Sequence, residues 1–419
     1  MVMKKIVING NKELSGTINI SGAKNSVVAL IPAAILTGEK VTIYNTPELS
    51  DTKNLKKIIE ILGGKITFGS GEMIIDGSNV RSNPIPAELS DKLRASYYFM
   101  GALLGRFRHV VINFPGGCKI GKRPIDLHIK SFRKMGATVI REGDKYTLTA
   151  KHLHGADILL DFPSVGATIN ILMAAVLADG VTVIENAAKE PEIINIISLL
   201  NNMGAKIVGG GTRTIKIEGV EKLTGAVIEV IPDRIEAGTY MMIGALIGRN
   251  LKIAGIIPKH VEILLSKMRD MGVDFKVEDD CVTFNRVDRL EAIDIKTLVY
   301  PGFPTDLGQP MAVMLTQADG QSKFEETIYE SRGGHYPELI KMGANIDYKP
   351  ASAIIEGKTH FKGCEVSASD LRAGAALIIA GLIAEGTTKI SNIDHILRGY
   401  EDLVNKLSCV GADIKIIEE

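Results

Sequence analysis

A thiol in a basic loop is the first feature of this sequence that could do chemistry. Within the segment 113–124, Cys118 lies beside Lys119, Lys122 and Arg123, together with three glycines and two prolines. Neighbouring positive charge favours the thiolate and lowers the pKa of a cysteine, so such a thiol can donate a proton or attack an electrophile. The glycines let a ligand approach the backbone, and the cations suit phosphate or carboxylate oxygens. The alternative is an exposed basic loop without a catalytic role.

Other charged side chains are suited to anion binding or proton transfer. Lys24 and Asn25 follow a glycine at an expected helix start, where they could hold an anion and a hydroxyl; the alternative is a helix cap beside a solvated lysine. Asp306 could act as a general base if a cleft desolvates it, and it could also cap the following helix. Arg372 and Arg398 flank apolar runs and, taken singly, resemble surface salt-bridge residues of small energetic worth.

A metal site would need more ligands than the sequence brings together. His152 and His154 would share one face of a strand and could chelate a metal if a third ligand joined them. No third ligand is evident, so surface histidines are the favoured interpretation.

The elements around Cys118 can be read from hydropathy. The apolar run 110–112 predicts a strand before the loop, and Ile129, Phe132 and Met135 at helical spacing predict a helix after it. The thiol therefore lies on a connection between a strand and a helix.

Length and composition limit the class of protein. A chain of 419 residues exceeds the size at which one core keeps growing, so two domains are expected. The 49 basic residues balance 49 acidic ones, so no overall field favours nucleic acid or a membrane surface. Four scattered cysteines and no long apolar stretch predict free thiols, no membrane span and a reducing cytoplasm.

Internal repeats predict an α/β architecture. Six times, at intervals of roughly 70 residues, an expected helix end runs through glycine into a strand; these glycines are Gly63, Gly136, Gly204, Gly272, Gly343 and Gly411. Glycine suits the left-handed residue that ends a helix. Three units per domain would give two similar halves.

The ends of the chain bear on the domain boundaries. A strand-and-turn piece recurs through the repeats and is missing after Gly411, whereas an extra copy stands at the N-terminus. We therefore expect residues 1–21 plus 231–419 to form a catalytic-side domain and 22–230 a second domain with the Cys118 loop. The sequence pattern alone also permits a simpler division near residue 212.

Nine blocks in order along the chain resemble the enolpyruvyl transferases that act on UDP-N-acetylglucosamine. They are Gly22-Ala23-Lys24-Asn25, Leu93-Arg94-Ala95-Ser96, Pro115-Gly116-Gly117-Cys118, Gly121-Lys122-Arg123-Pro124-Ile125-Asp126-Leu127-His128, Ser164-Val165-Gly166-Ala167-Thr168, Asp233-Arg234-Ile235-Glu236, Phe303-Pro304-Thr305-Asp306, Asp370-Leu371-Arg372-Ala373 and Arg398-Gly399-Tyr400-Glu401. The resemblance implies a two-domain inside-out α/β barrel with three repeats per domain. It also implies transfer of the enolpyruvyl group of phosphoenolpyruvate to the sugar 3-hydroxyl, the first committed step of peptidoglycan synthesis, without metal or organic cofactor.

The resemblance further implies a role for each matching residue. Cys118 would be the proton donor and Asp306 the base, with Lys24 and Arg398 also catalytic. The implied phosphoenolpyruvate contacts are Lys24, Asn25, Arg123, Arg332, Arg372 and Arg398. The implied sugar-nucleotide contacts are Asn25, Arg94, Arg123, Pro124, Ile125, Asp126, Leu127, Ser164, Val165, Gly166, Asp306 and Ile328.

Two positions depart from the family pattern, and two other functions compete. Phe162 stands where many relatives carry a polar or basic residue, and Gly333-Gly334 replaces bulkier residues after Arg332. The competing functions are a sister enzyme acting on shikimate 3-phosphate and a catalytically silent regulatory paralogue. Cys118 with its loop argues against the first, and joint retention of the catalytic residues argues against the second.

Overall fold

The computed structural model of the chain describes residues 4–91, 93–114, 121 and 124–419. Cys118 and Arg123 lie outside these residues. The described residues divide into two compact units. Residues 4–21, 121 and 232–419 belong to the C-terminal unit, and residues 22–91, 93–114 and 124–231 belong to the N-terminal unit. The chain passes from one unit to the other after Ser21 and again after Ile231.

The C-terminal unit contains three four-stranded sheets. In spatial order their strands are Glu365–Ser367, Thr387–Ser391, Lys4–Asn9 and Asp413–Glu418; Asp274–Val277, Cys281–Asn285, Gly248–Ala254 and Leu14–Asn19; and Ile295–Lys296, Gln321–Glu325, Ser352–Glu356 and Asn345–Lys349. Each sheet has one parallel pair at an edge, and its other pairs are antiparallel. The three sheets are thus copies of one arrangement.

Two of the three sheets of the N-terminal unit repeat this pattern, whereas the third has three strands that pair only antiparallel. Its strands, in spatial order, are Lys206–Val208, Thr214–Glu218, Val181–Glu185 and Asp157–Leu159; Ala226–Glu229, Lys40–Tyr44, Glu72–Asp76 and Lys65–Gly69; and His109–Asn113, Lys145–Thr149 and Thr138–Glu142. Alternate residues of a strand are buried, as in Thr214–Glu218, so one face of the sheet packs inward and the other is exposed.

The helices divide into buried and amphipathic ones. The α-helices of the C-terminal unit are Arg234–Ile247, Glu262–Asp270, Gly308–Leu315, Tyr336–Lys341, Leu371–Ile383, Asp394–Leu397 and Leu403–Cys409, with 3₁₀ turns at Pro258–Val261 and Thr305–Leu307. Those of the N-terminal unit are Lys24–Ala34, Ser50–Ile61, Ala87–Ser90, Tyr98–Phe107, Asp126–Lys134, Val165–Ala175 and Pro191–Asn202, with a 3₁₀ turn at Arg94–Tyr97. The predicted strand and helix around the Cys118 loop are both present, at His109–Asn113 and Asp126–Lys134.

Each unit is built around helices that are buried on nearly every side. In the C-terminal unit these are Arg234–Ile247, Gly308–Leu315 and Leu371–Ile383, which pack against one another. A helix that is apolar all round must lie inside a core, and the half-exposed sheets lie around it. The expected inside-out α/β fold is therefore confirmed within each unit.

The six repeat glycines end helices as the sequence predicts. Each has a positive φ, between 80° and 110°, and each is followed by a strand. A side chain would be strained in that backbone conformation, which explains why glycine recurs at this point of every repeat.

The strand Lys4–Asn9 lies between two strands from the far end of the chain. Ile6 pairs with Ile390 on one side and with Ile416 on the other, both antiparallel. Ile6 and Ile8 are fully buried. The first strand of the chain is thus an interior strand of the last sheet.

Candidate active site

A carboxylate held by two buried arginines forms the centre of the site in the C-terminal unit. Asp306 lies in the 3₁₀ turn Thr305–Leu307 that leads into a buried helix. Its Oδ1 accepts a bond from Arg332 Nη2 at 2.7 Å, and its Oδ2 accepts one from Arg372 Nη2 at 3.1 Å. The arginine side chains are 6% and 2% exposed, whereas that of Asp306 is 24% exposed. Two buried arginines therefore fix the carboxylate, which stays partly exposed to solvent.

Burial and charge act in opposite directions on the two arginines. Burial disfavours a charged guanidinium and is the largest single effect on Arg332. The negative charges of Asp306 and Asp370 together outweigh burial, so the pKa of Arg332 is raised. At Arg372, burial is likewise outweighed by Tyr400 and Asp306, and its pKa is also raised. Both arginines therefore stay charged, and they form a fixed positive environment around Asp306.

Arg372 is positioned by the start of its own helix. Asp370 caps the helix Leu371–Ile383 by accepting bonds from the backbone N–H groups of Arg372 and Ala373, at 2.9 and 3.1 Å. The guanidinium then lies over the ring of Tyr400, with Cζ 5.4 Å from the ring centroid. The interpretation of Arg372 as a surface salt-bridge residue is wrong, because helix packing buries it; Arg398, at the end of the short helix Asp394–Leu397, is half-buried.

A buried histidine lies behind the arginines. His335 is 1% exposed, and its Nδ1 faces the side-chain Nε2 of Gln309 at 3.5 Å. Gln309 Nε2 also donates to Asp370 at 3.1 Å. Burial lowers the pKa of His335 to about 3, so its ring is neutral. Burial does the same to His128 in the N-terminal unit, where the pKa is also about 3.

These histidines predict how stability depends on pH. Their folded pKa is depressed, so their contribution is fully present above the unfolded value of about 6.5 and is lost as pH falls toward about 3. At pH 5 each histidine is protonated in the unfolded state but not in the folded one, which should lower the free energy of unfolding by about 2 kcal/mol per histidine relative to pH 8. His335→Asn keeps an acceptor for Gln309 but removes the titration, so the fall between pH 7 and 5 should become shallower. Urea unfolding at each pH measures this slope.

A matched control separates this effect from general destabilisation. His152 is exposed, and His152→Asn should leave the slope unchanged. An unchanged slope in His335→Asn would contradict the neutral buried ring. Both His152 and His154 are exposed, which confirms that they are surface histidines.

In the N-terminal unit, Lys24 opens the first helix as the sequence predicts. The helix Lys24–Ala34 has no side-chain cap bond from Ala23. Lys24 Nζ lies 3.1 Å from Asp51 Oδ2, and these side chains are 16% and 1% exposed. The alternative of a solvated lysine is therefore wrong, because a buried carboxylate fixes the ammonium group. Asn25 is the next residue of the same helix.

Arg94 lies in an aromatic setting in the same unit. Its Cζ is 5.5 Å from the ring centroid of Tyr97 and 5.4 Å from that of Phe114. Cation–π contacts of this kind hold an arginine in place without neutralising it. Arg94 is therefore a positioned cation.

The remaining proposed contacts of the N-terminal unit lie at two helix starts. Pro124 and Ile125 precede the helix Asp126–Lys134, and Asp126 and Leu127 form its first turn. Ser164 caps the helix Val165–Ala175 by accepting a bond from Ala167 N at 3.3 Å, with Val165 and Gly166 next in that helix. Helix N-termini present free N–H groups to anions.

The two departures from the family pattern have different surroundings. Phe162 is 43% exposed. Gly333 and Gly334 line a cavity of about 270 Å³ that also borders Arg332 and Tyr348. The structure thus shows open space beside the glycine pair.

Three residues that organise these groups carry little signal in the sequence. Asp51 lies in the first turn of the helix Ser50–Ile61, where acids are common, yet it is buried against Lys24. Glu326 directly follows the half-exposed strand Gln321–Glu325, yet it is buried and accepts four hydrogen bonds. His335 has no motif around it. Each has a polar partner far away in sequence, which local patterns do not reveal.

Comparison with known proteins identifies the family. The sequence pattern of EPSP synthase (3-phosphoshikimate 1-carboxyvinyltransferase) matches residues 8–407. The chain is 54% identical over 412 residues to UDP-N-acetylglucosamine 1-carboxyvinyltransferase 2 of Geobacillus kaustophilus, covering 98% of this chain and 96% of the relative. It is 52% identical over 413 residues to the protein of the same name from Bacillus subtilis, with the same coverage.

Two solved structures have the same fold as this chain. The enolpyruvyl transferase NikO from Streptomyces tendae aligns over 100% of both chains with a TM-score of 0.91 at 26% identity. EPSP synthase from Acinetobacter baumannii shares the fold, with a TM-score of 0.76 at 19% identity over 99% of this chain and 100% of that one. The chain therefore belongs to the EPSP synthase family of enolpyruvyl transferases. It is a transferase.

The residues that the structure describes offer neither a membrane-spanning helix nor a metal-binding cluster. None of the helices there combines the length and the apolar character needed to cross a bilayer. No group of three or more His, Cys, Asp or Glu side chains in that part of the chain could hold a metal ion.

Proposed function

We propose that the protein transfers the enolpyruvyl group of phosphoenolpyruvate to the 3-hydroxyl of UDP-N-acetylglucosamine and releases phosphate. The observation that carries the proposal is that Arg332 and Arg372 fix the Asp306 carboxylate while its side chain stays partly exposed to solvent. The relatives at 54% and 52% identity, which are named as carboxyvinyltransferases of UDP-N-acetylglucosamine, support the choice of acceptor.

The reaction has two steps in this proposal. In the addition, Asp306 takes the proton of the sugar 3-hydroxyl while the oxygen of that hydroxyl bonds to C2 of phosphoenolpyruvate. Cys118 delivers a proton to C3. In the elimination, C3 returns a proton to the thiolate that the addition left on Cys118, the bond from C2 to the phosphate oxygen breaks, and phosphate leaves. Charge moves onto and off the phosphate and carboxylate, so fixed cations stabilise the transition states.

The proposed contacts divide between the two substrates, and Asn25 and Arg123 serve both. Lys24, Asn25, Arg123, Arg332, Arg372 and Arg398 would contact phosphoenolpyruvate. Asn25, Arg94, Arg123, Pro124, Ile125, Asp126, Leu127, Ser164, Val165, Gly166, Asp306 and Ile328 would contact the sugar nucleotide. No metal or organic cofactor takes part. We also propose that residues 1–21 with 231–419, and residues 22–230, act as the two domains of the enzyme.

The reaction has a cellular setting if the proposal holds. It would be the first committed step of peptidoglycan synthesis, carried out in the cytoplasm, and would serve cell-wall growth, cell shape and division. The thiol of Cys118 would be the target of the epoxide fosfomycin.

Phosphate release with each substrate omitted in turn tests the proposal. We expect release to require both phosphoenolpyruvate and UDP-N-acetylglucosamine, and to persist in a metal chelator. Shikimate 3-phosphate should not replace the sugar nucleotide. Robust turnover with shikimate 3-phosphate in its place, or complete loss of activity in the chelator, would overturn the assignment.

A further inference from the structure

Glu326 is a buried acid at the end of the strand Gln321–Glu325, and it is 9% exposed. Its Oε1 accepts bonds from Thr297 Oγ1 at 2.8 Å and from the backbone N–H groups of Ile328 and Tyr329 at 2.7 and 3.1 Å. Its Oε2 accepts a bond from Thr305 Oγ1 at 2.7 Å. Four donors thus converge on one carboxylate.

The bond to Thr305 continues toward Asp306. Thr305 Oγ1 also accepts a bond from Arg332 Nη1 at 2.7 Å, and Arg332 Nη2 donates to Asp306 Oδ1 at 2.7 Å. A threonine hydroxyl has one proton. Because the hydroxyl uses this proton in its hydrogen bond to Glu326, only its lone pairs are left to accept the bond from Arg332. The direction of each hydrogen bond in the series is therefore fixed.

We propose that Glu326 is a positioning residue for the transfer reaction, acting on Asp306 through Thr305 and Arg332. It touches neither substrate in this proposal. The same carboxylate fixes the backbone N–H of Ile328, so one residue sets both the direction of the base and the start of the loop that leads to Arg332. The inference rests on the proposed function, in which Asp306 is the base.

Glutamine at this position keeps the shape but cannot repeat the bonds. With its amide oxygen toward Ile328 and Thr297, its NH₂ group faces Thr305 and donates where an acceptor is needed. With the amide turned round, the NH₂ group faces three donors. Either orientation leaves a buried donor without its acceptor.

Glu326→Gln should therefore lower kcat more than it raises KM. A displacement of about 1 Å in a reacting group can cost about 100-fold in rate, so we expect a fall in kcat of about 10- to 100-fold. The KM for phosphoenolpyruvate should change by less than about threefold, because the ion pairs of Arg332 and Arg372 with Asp306 remain. Steady-state phosphate release measures both constants.

Glu325→Gln is the matched control. Glu325 is the adjacent residue, and its carboxylate pairs with Lys323 and, at 3.5 Å, with Lys296. It has no bond to Thr305. Its substitution should leave kcat within about twofold, since exposed ion pairs contribute little.

Thr305→Val tests the path itself. It removes only the hydroxyl and leaves the other bonds of Glu326 in place, so it also serves if Glu326→Gln fails to fold. We expect a similar fall in kcat, and the double variant should be no slower than the slower single variant, because both break the same path. A purely structural role would instead give independent, multiplying losses.

The outcomes are distinct. Folded Glu326→Gln with wild-type kcat, or Thr305→Val with wild-type kcat, would overturn the positioning role, as would multiplying losses in the double variant. If the wild-type protein is inactive with UDP-N-acetylglucosamine but active with another acceptor, the proposed function fails while the ratios of variant to wild type, measured on that acceptor, still decide the role of Glu326.

Discussion

Asp306→Asn is expected to lower kcat by about 10²- to 10⁴-fold, the range usually supplied by a general base. Asparagine has the same shape but cannot take the proton of the sugar hydroxyl. Its NH₂ group would also face Arg332 or Arg372, which both donate to the carboxylate at present. The side chains of these arginines are at most 6% exposed, so they would lose a buried counter-charge.

The same substitution should therefore destabilise the fold. Removing one partner of a buried ion pair typically costs about 3 to 5 kcal/mol, and the partial exposure of Asp306 places the expected loss at the lower end. Urea unfolding measures it alongside phosphate release. Phosphate release is measured on folded protein, and both measurements are made at a temperature well below the Tm.

Asp319→Asn is the control for Asp306→Asn. Asp319 pairs with Arg289 at 3.2 Å, but both side chains are well exposed. Kinetics and stability should stay near wild type, since surface ion pairs contribute about 0 to 1 kcal/mol. Retention of more than a tenth of wild-type kcat by Asp306→Asn would remove Asp306 from the role of base.

Cys118→Ser is expected to lower kcat by about 10²- to 10⁴-fold, whereas Cys118→Asp should retain turnover. An aspartate keeps a titratable donor of similar reach, but a serine hydroxyl is too weakly acidic to donate near neutral pH. Lys119, Lys122 and Arg123 lie beside this position in the sequence, and their positive charge makes the thiol proton easier to release. Equal activity of the two variants would exclude the proton-donor role.

Fosfomycin provides a second measurement on the same thiol. Alkylation should occur at Cys118 and be absent in Cys118→Asp, with the adduct located by mass spectrometry. Burial raises the pKa of the Cys281 and Cys364 thiols, which makes them poor nucleophiles and internal controls. An adduct on Cys281, Cys364 or Cys409 in place of Cys118 would overturn the assignment.

The parts of the fold that could be predicted depend on local chemistry. The repeat glycines are a clear case, because the left-handed end of a helix demands glycine whatever surrounds it. The strand and helix on either side of the Cys118 loop follow from hydropathy periods for the same reason. These features need only a few consecutive residues to be recognised.

The parts that could not be predicted depend on distant contacts. Asp306 is compatible with a helix cap, but its carboxylate bonds to Arg332 and Arg372, which lie 26 and 66 residues further along the chain. Asp51 and Glu326 carry no sequence signal of burial, since an acid beside a helix start or strand end is usually exposed. The proposed substrate contacts came from family resemblance, and they stay predictions.

The strand Lys4–Asn9, held between strands Thr387–Ser391 and Asp413–Glu418, has a consequence for how the chain folds during synthesis. The described residues of the N-terminal unit lie between Gly22 and Ile231, so this unit can fold while later residues are still being added. The first strand, although made earliest, has no partner until Thr387–Ser391 and then Asp413–Glu418 have been made. Its apolar residues must remain unpaired through almost the whole of translation, so nascent chains of this protein are most exposed to aggregation, and to chaperone binding, at their N-terminus.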